Sequence, residues 1–380
     1  MPRALIPLLA VTFVDVLGFS IIIPLLPFYA QHYGASAPVV GWLIATVALC
    51  SLISSPILGA LSDRLGRRNI LLITQVTTTA AYLLLGLANS LPLLFCSRVV
   101  EGFAGGGLGI TQAYISDVTT PEQRARAYAL LGATFGISFI LGPALGGALV
   151  RFGYPVPFYT AAFVSLITIG LTLWLLPESH TPPSHHPPLR DTLRALLVPQ
   201  MRRLLLIQLC FSLSFTMWVS VLALFLQKNL GFGPSQTSLF YASSGVIGVI
   251  MQTLIIGHLV DRLRERQVLL MGLICLTVAY GAVFSYHQFW PLICLSALWS
   301  IGSSLTRPML NALISQAADP QQRGALMGGA DAINNFSFVL GPLLATWIFA
   351  QNDQWVGVLP AGLALLGVWF TARLRLEPAS

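Results

Sequence analysis

Residues 138–145 read Ser-Phe-Ile-Leu-Gly-Pro-Ala-Leu, and residues 337–344 read Ser-Phe-Val-Leu-Gly-Pro-Leu-Leu, an offset of 199. Two further stretches return in the same order. Pro121-Glu-Gln-Arg124 comes back as Pro320-Gln-Gln-Arg323 at an offset of 199, and Gly59-Ala-Leu-Ser-Asp63-Arg64 as Gly257-His-Leu-Val-Asp261-Arg262 at 198. Three matches in one order and one register mark a duplicated unit. Two like halves repeated in the same orientation are an architecture of secondary transporters.

The composition around these stretches places the halves in a membrane. Of 380 residues, 56% are hydrophobic and only 9% charged, against about a quarter charged in a soluble domain. No soluble fold of this size hides that much apolar surface, whereas a bilayer accepts it if helices satisfy the backbone internally. Apolar runs, punctuated by Pro, Gly and Arg, predict twelve spans: 4–30, 38–62, 69–89, 91–117, 124–150, 156–177, 202–227, 235–260, 268–287, 289–317, 323–350 and 354–373. The expected fold is an all-α integral membrane protein of two pseudo-symmetric six-helix bundles, 1–177 and 201–380. Residues 178–200 link them. That linker is rich in proline and carries His180, His185 and His186, which could hold a metal but suit a solvated linker better.

Charge sorts along the spans. Of the 20 Lys and Arg residues, 16 fall at the N-terminus, in the loops after even-numbered spans, and at the C-terminus. Only Arg151 and Lys228 lie on the other side, so both termini are expected in the cytoplasm. The net charge of +7 is thus spread over short loops, not gathered into a patch for nucleic acid. The first apolar run carries Asp15 in its middle and eleven spans follow, so it is not a cleavable signal peptide. Cys50, Cys96, Cys210, Cys275 and Cys294 show no CxxC pair or Cys/His cluster, and neither a disulfide framework nor a structural metal is expected.

Charges inside spans are costly and usually functional. Asp15 lies about 16 Å into the first span and Glu101 about 15 Å into the fourth, at about 1.5 Å per residue. Arg98 sits one turn from Glu101, with Gly105 and Gln112 continuing the same stripe. Arg98 and Glu101 either neutralise each other and lock the bundle, or form a coupled proton site. In the second case burial favours the neutral carboxyl and the guanidinium the charged one. Asp15 has no basic residue on its own face and is the stronger proton candidate. Asp331, near Asn334 and Asn335, is either a fourth proton-coupling residue or a hydrogen-bonded tie between helices. Phe211, Phe215 and Trp218 recur at helical spacing among Ser212, Ser214 and Thr216; they are core packing or a wall for an organic cation. Phe19, Gln112 and Asn335 complete the candidate cavity. Arg307 is expected to snorkel to the headgroups. Gly105-Gly-Gly107 lies in an apolar helix without the Lys-Ser/Thr of a phosphate-binding loop.

Several of these stretches carry a resemblance. Gly59-Ala-Leu61-Ser-Asp63-Arg64-Leu-Gly66-Arg67-Arg68 resembles the loop signature of the major facilitator superfamily. Arg98-Val-Val-Glu101-Gly102 with Gly105 resembles its RxxxG motif, with Glu101 where a neutral polar residue is more usual. Gly136, Gly142-Pro143 and Gly146-Gly147 resemble its antiporter motif. Asp15 with Ile23-Pro24-Leu-Leu-Pro27 resembles the first-helix signature of the twelve-helix drug/proton antiporter branch. The resemblance spans the whole chain. It implies a proton-coupled exporter of a small lipophilic or cationic compound working by alternating access. Such a protein is not an enzyme and needs no cofactor beyond the proton gradient; its partners are substrate, protons and lipid. A monomer in a bacterial inner membrane is expected. The third and ninth spans hold no acid, where tetracycline-specific exporters carry one, so the branch is implied and that specificity is not. The alternatives are a uniporter or proton symporter for a metabolite and, more remotely, a membrane sensor or scaffold.

Two local roles follow. Asp63, Arg64 and Arg67, with Gly59, Gly66 and Arg68, are expected to form a cytoplasmic latch. Asp117 partners Arg67, and Asp63 sits near a helix amino end in the other half. Gly136, Gly142, Gly146 and Gly147 are expected to let a second-half helix approach closely, with Pro143 bending the segment.

Overall fold

The computed structural model describes residues 5–179, 199–282, 289–317 and 323–374. Among these the regular structure is entirely helical. In chain order the helices are α1 (Leu5–Ile22), α2 (Leu26–His32), α3 (Ala37–Leu65), α4 (Arg67–Gly86), α5 (Leu91–Phe103), α6 (Gly107–Val118), α7 (Pro121–Leu149) and α8 (Pro155–Leu175). They continue as α9 (Pro199–Leu230), α10 (Pro234–Ile250), α11 (Ile256–Arg262), α12 (Glu265–Gly281), α13 (Phe289–Ala317), α14 (Arg323–Gln351) and α15 (Val358–Ala372). Among the described residues, ten helical segments are long and apolar enough to cross a membrane. The other two of the twelve expected are α12, 17 residues long, and α13. The linker histidines and Pro320 to Gln322 lie outside the described residues. The five cysteines are unpaired.

Three spans expected to be continuous are interrupted. The first breaks at Ile23–Leu25, where Pro24 supplies no N–H and Pro27 is set in the first turn of α2, a place proline favours. The fourth breaks at Ala104–Gly106. Gly106 takes φ +106°, a left-handed conformation that suits glycine, and opens α6. Gly105-Gly-Gly107 is therefore a break between two helices, and the stripe from Arg98 and Glu101 does not run on unbroken to Gln112. The eighth changes pitch through a π-helical turn at Met251–Ile255 between α10 and α11, the kind of bulge that bends a helix.

The chain packs as two units. Unit 1 is Met1–Ser184 with Leu226–Val246, and unit 2 is His185–Phe225 with Ile247–Ser380. In unit 1, α1 packs against α7 and α8, α4 against α8, and α3 against α5. In unit 2, α12 packs against α13 and α15.

The repeated sequence is legible as repeated packing. In unit 1 the Ser20 hydroxyl on α1 donates to the Ser138 carbonyl on α7 (2.8 Å). One turn on, a Cβ at Gly142 would overlap Ser20 Oγ. In unit 2 the Thr216 hydroxyl on α9 donates to the Ser337 carbonyl on α14 (2.8 Å), and a Cβ at Gly341 would overlap Thr216 Oγ1. So in Ser-Phe-x-Leu-Gly-Pro the serine supplies a carbonyl and the glycine makes room for the hydroxyl that reaches it. The proline in turn frees the carbonyl four residues back. In unit 1 that is the Phe139 carbonyl, and Gly245 of α10 comes so close that a Cβ there would lie 3.0 Å from it.

A second pair of interactions ends two helices. Arg68 donates to the carbonyls of Thr172 and Leu173 in the last turn of α8, and Arg266 to those of Thr371 and Ala372 in the last turn of α15. Cations are stabilising at these unsatisfied carbonyls. A third pair keeps its place but changes chemistry. Arg67 bonds Asp117 (3.2 Å) in unit 1, while in unit 2 Glu265 accepts from the Gln316 amide (2.9 Å), which holds the Glu265 carboxyl below its ordinary range.

Candidate functional site

Unit 1 gathers polar side chains on the inner faces of α1, α4, α5 and α8. Asp15, half-buried on α1, lies within hydrogen-bonding reach of Thr168 on α8 and Gln75 on α4. Both partners are neutral and buried. Gln75 also donates to the Thr172 hydroxyl (3.0 Å), and Thr79 to Ser165 (2.8 Å). On α5, Arg98 and Glu101 form an ion pair one turn apart, with residue exposures of only 2% and 7%. The buried Tyr82 on α4 is close enough to feel the charges of Glu101, Arg98 and Asp15. The arrangement holds one compensated pair and one acid with neutral partners only.

Gln75, Tyr82 and Thr168 are not among the residues that sequence reasoning singles out. Their signal is periodic: Gln75, Thr79 and Tyr82 share one face of α4, and Ser165, Thr168 and Thr172 share one face of α8. Phe19 lies one turn beyond Asp15 and is exposed, while Gln112 sits half-buried on α6 beyond the glycine break.

At the loop joining α3 to α4, Arg67 reaches Asp63 (2.6 Å) and Asp117 (3.2 Å) together. Asp63, near the end of α3, thus pairs with the first residue of α4. Gly66 adopts φ +96°, and a Cβ there would strike the Glu178 carboxyl. Glu178 accepts from the Arg68 backbone N–H (3.1 Å), and Ser179 donates to Asp117 (3.3 Å). The chain just after α8 is therefore fastened onto the loop. Arg64 is exposed, and a Cβ at Gly59 would meet nothing within 4 Å.

The glycines of α7 divide their work. Gly142 and Gly146 face α1, where a Cβ at Gly146 would lie 2.9 Å from the Ile21 carbonyl. Gly147 faces α10: its carbonyl accepts from Ser235 (2.7 Å), and a Cβ would lie 2.7 Å from Ser238 Cβ. Gly136 is half-buried on the same helix. The close approach expected of all of them against a second-half helix is made by Gly147, while Gly142 and Gly146 serve the first half itself.

Unit 2 is aromatic where unit 1 is ionic. Phe211 and Phe215 on α9 lie 5.9 Å apart, and Phe215 stacks on Trp299 of α13 at 5.7 Å and 15°. Trp218 packs against Tyr280 at 5.9 Å, and Trp299 Nε1 donates to the Tyr280 hydroxyl (3.2 Å). Arg307 does not extend to the headgroups. It sits ten residues before the end of α13, about 15 Å along the helix, with its guanidinium carbon 5.3 Å from the Phe215 ring centre and 5.9 Å from that of Phe211. Asp331, exposed on α14, is the acid whose charge Arg307 feels, and Asn335 follows it one turn on.

Comparison with known proteins bears on the family and the fold. A family model described as Major Facilitator Superfamily matches residues 8–254 and 204–380. Tetracycline resistance protein class C of Escherichia coli is 29% identical over 373 residues, covering 94% of this chain and 92% of that protein. Multidrug resistance protein 2 of Bacillus subtilis (strain 168) is 27% identical over 383 residues, covering 95% and 94%. Among solved structures, the nucleoside transporter NupG superposes with a TM-score of 0.82 at 14% identity, over 98% of this chain and 100% of that one. A bacterial homologue of the human lysosomal transporter Spinster, inward-facing and unoccupied, gives 0.76 at 15% identity, over 99% and 98%. These two likenesses speak to the fold alone.

Proposed function

Because the chain belongs to the major facilitator superfamily, we propose that it is a proton-coupled exporter of drug-like small molecules that works by alternating access. The relatives named for tetracycline and multidrug resistance match nearly its whole length, which supports export of such compounds. The observation that carries the proton part is Asp15. It is a half-buried acid at mid-span whose partners, Gln75 and Thr168, are neutral. With no cation holding it ionised, such a carboxyl can take and release a proton as its surroundings open and close. Glu101 is tied to Arg98 and serves as a second acid only when that pair is disturbed. Transport so driven breaks no covalent bond and draws on the proton gradient alone. The excess of arginine on one set of loops supports cytoplasmic termini in a bacterial inner membrane, where the protein acts as a monomer.

Reconstituted liposomes holding a pH-sensitive dye test this reading. With a proton gradient imposed, at least one compound from a panel of drug-like molecules of either charge, tetracycline and ethidium among them, should provoke substrate-dependent proton movement, and glucose should not. Proton movement with glucose alone would overturn export in favour of a metabolite carrier.

The Asp63–Arg67–Asp117 group acts as a latch on the cytoplasmic side. Partly exposed pairs of this kind contribute about 1 kcal/mol or less; made in one state of the cycle and lost in the other, they bias it without locking it. In Asp63→Ala, an engineered cavity cysteine should react with cytoplasmic thiol reagents up to about fivefold faster, the equivalent of about 1 kcal/mol. Unchanged labelling with intact transport would leave these charges only a topological role.

A further inference from the structure

The chain has two arginines deep inside membrane spans, and among the described residues only Arg98 is in a direct ion pair, while Arg307 feels the charge of Asp331 without touching it. Arg98 has Glu101. Arg307 has no carboxylate within 4.0 Å and no hydrogen-bond acceptor for its side chain among the described residues. It rests on Phe215 and Phe211, and Phe215 is backed by Trp299. Rings satisfy the flat face of a guanidinium by cation–π attraction. They leave its N–H donors, which point outward in the plane, unused. Arg307 is an exposed residue, while its neighbours Leu305, Thr306, Met309 and Leu310 are buried. An intramembrane charge kept in this state marks a water-filled path or a ligand.

We infer that Arg307, standing on the Phe211–Phe215–Trp299 platform, is the docking point for an anionic oxygen of the transported compound. The favoured substrates are then flat aromatic molecules bearing a carboxylate, phenolate or enolate. This rests on the exporter reading and narrows it. A simple lipophilic cation, the ligand that an aromatic stripe alone suggests, would meet a like charge already seated on those rings. Asp331 on α14 supplies an opposite charge for the amino group of a zwitterion. The two donors of a guanidinium edge match two oxygens of a planar oxyanion, a geometry that lysine cannot offer. The guanidinium is held against the rings of α9 and not extended toward the end of its helix, leaving the cargo as its natural partner.

Two xanthene dyes of similar shape and opposite charge separate the possibilities. Binding of fluorescein and of rhodamine 6G to the purified protein is read by fluorescence anisotropy. The wild type should prefer fluorescein. Arg307→Gln should weaken fluorescein about tenfold or more, the scale of a lost charge-assisted contact, and leave rhodamine 6G unchanged or tighter. Arg307→Lys should weaken fluorescein by a smaller factor, and it decides the matter if the glutamine variant does not fold. Tighter rhodamine 6G binding by the wild type, or equal changes for both dyes in either variant, would overturn the inference. Liposomes keep the two readings apart. Gradient-driven pumping of rhodamine 6G alone leaves export standing and removes the role of Arg307. Arg307-dependent fluorescein binding without gradient-driven movement does the reverse.

Discussion

Asp15→Asn should abolish gradient-driven transport while leaving a folded, membrane-inserted protein. Asparagine keeps the size of the side chain and can still bond Gln75 and Thr168, the neutral partners that surround Asp15. What it loses is the ability to take up and release a proton. An uncharged residue at this depth is also cheaper to insert than a charged one, so expression should hold or rise. In proteoliposomes the variant should equilibrate substrate down its gradient, yet show only the background of protein-free vesicles when a proton gradient must drive accumulation. Pumping at the wild-type rate would remove Asp15 from the coupling mechanism.

The second large effect concerns Arg98 and Glu101. Both are almost wholly buried, so removing one leaves a charge with no counterpart, a change that typically costs about 3–5 kcal/mol. Arg98→Leu and Glu101→Leu should each lower the thermal unfolding midpoint sharply and reduce yield. The double variant Arg98→Leu/Glu101→Leu should recover most of that loss, since a buried pair replaced by apolar side chains of similar volume is often neutral or stabilising. Transport then separates the two roles that the sequence leaves open. A stable double variant that binds substrate but no longer couples it to protons assigns the pair to the proton cycle. One that pumps normally would make it a scaffold element.

The chain declares some of this in its sequence and withholds the rest for physical reasons. Twelve spans and a duplicated half are readable because apolar length and repeated Ser-Phe-x-Leu-Gly-Pro stretches are properties of consecutive residues. Asp15 stands out because an acid in an apolar run has few structural excuses. The breaks at Pro24 and Gly106 are harder to foresee, since proline and glycine also occur inside continuous membrane helices, as Pro143 and Gly142 do here in α7. Gln75, Tyr82 and Thr168 are plain polar residues until the helix that carries Asp15 is known to face them, and phase between helices is not written along one chain. Arg307 reads as a headgroup residue because long basic side chains can reach that far. The aromatic rings of α9 that hold it in place become its neighbours only through folding. The α7 glycines stand out as small, but which neighbour each admits depends on a rotation of about 100° per residue about the helix axis.

The paired hydrogen bonds between Ser20 and Ser138 and between Thr216 and Ser337 bear on how such a chain acquires new cargo. Asp15 precedes Ser20 by five residues, as Phe211 precedes Thr216; Phe19 and Phe215 each precede their hydroxyl by one. One of these equivalent places thus holds an acid in one copy and an aromatic ring in the other, the second holds phenylalanine in both, and the hydroxyl, the carbonyl and the glycine beside them have stayed. After a duplication, joints inherited in common can be kept while one copy retains the ion chemistry and the other drifts. Selection can then rework the aromatic copy for an unfamiliar compound without unsettling the energy source. A lineage built in this way widens its repertoire by changing a few ring-bearing positions and leaves its power supply intact.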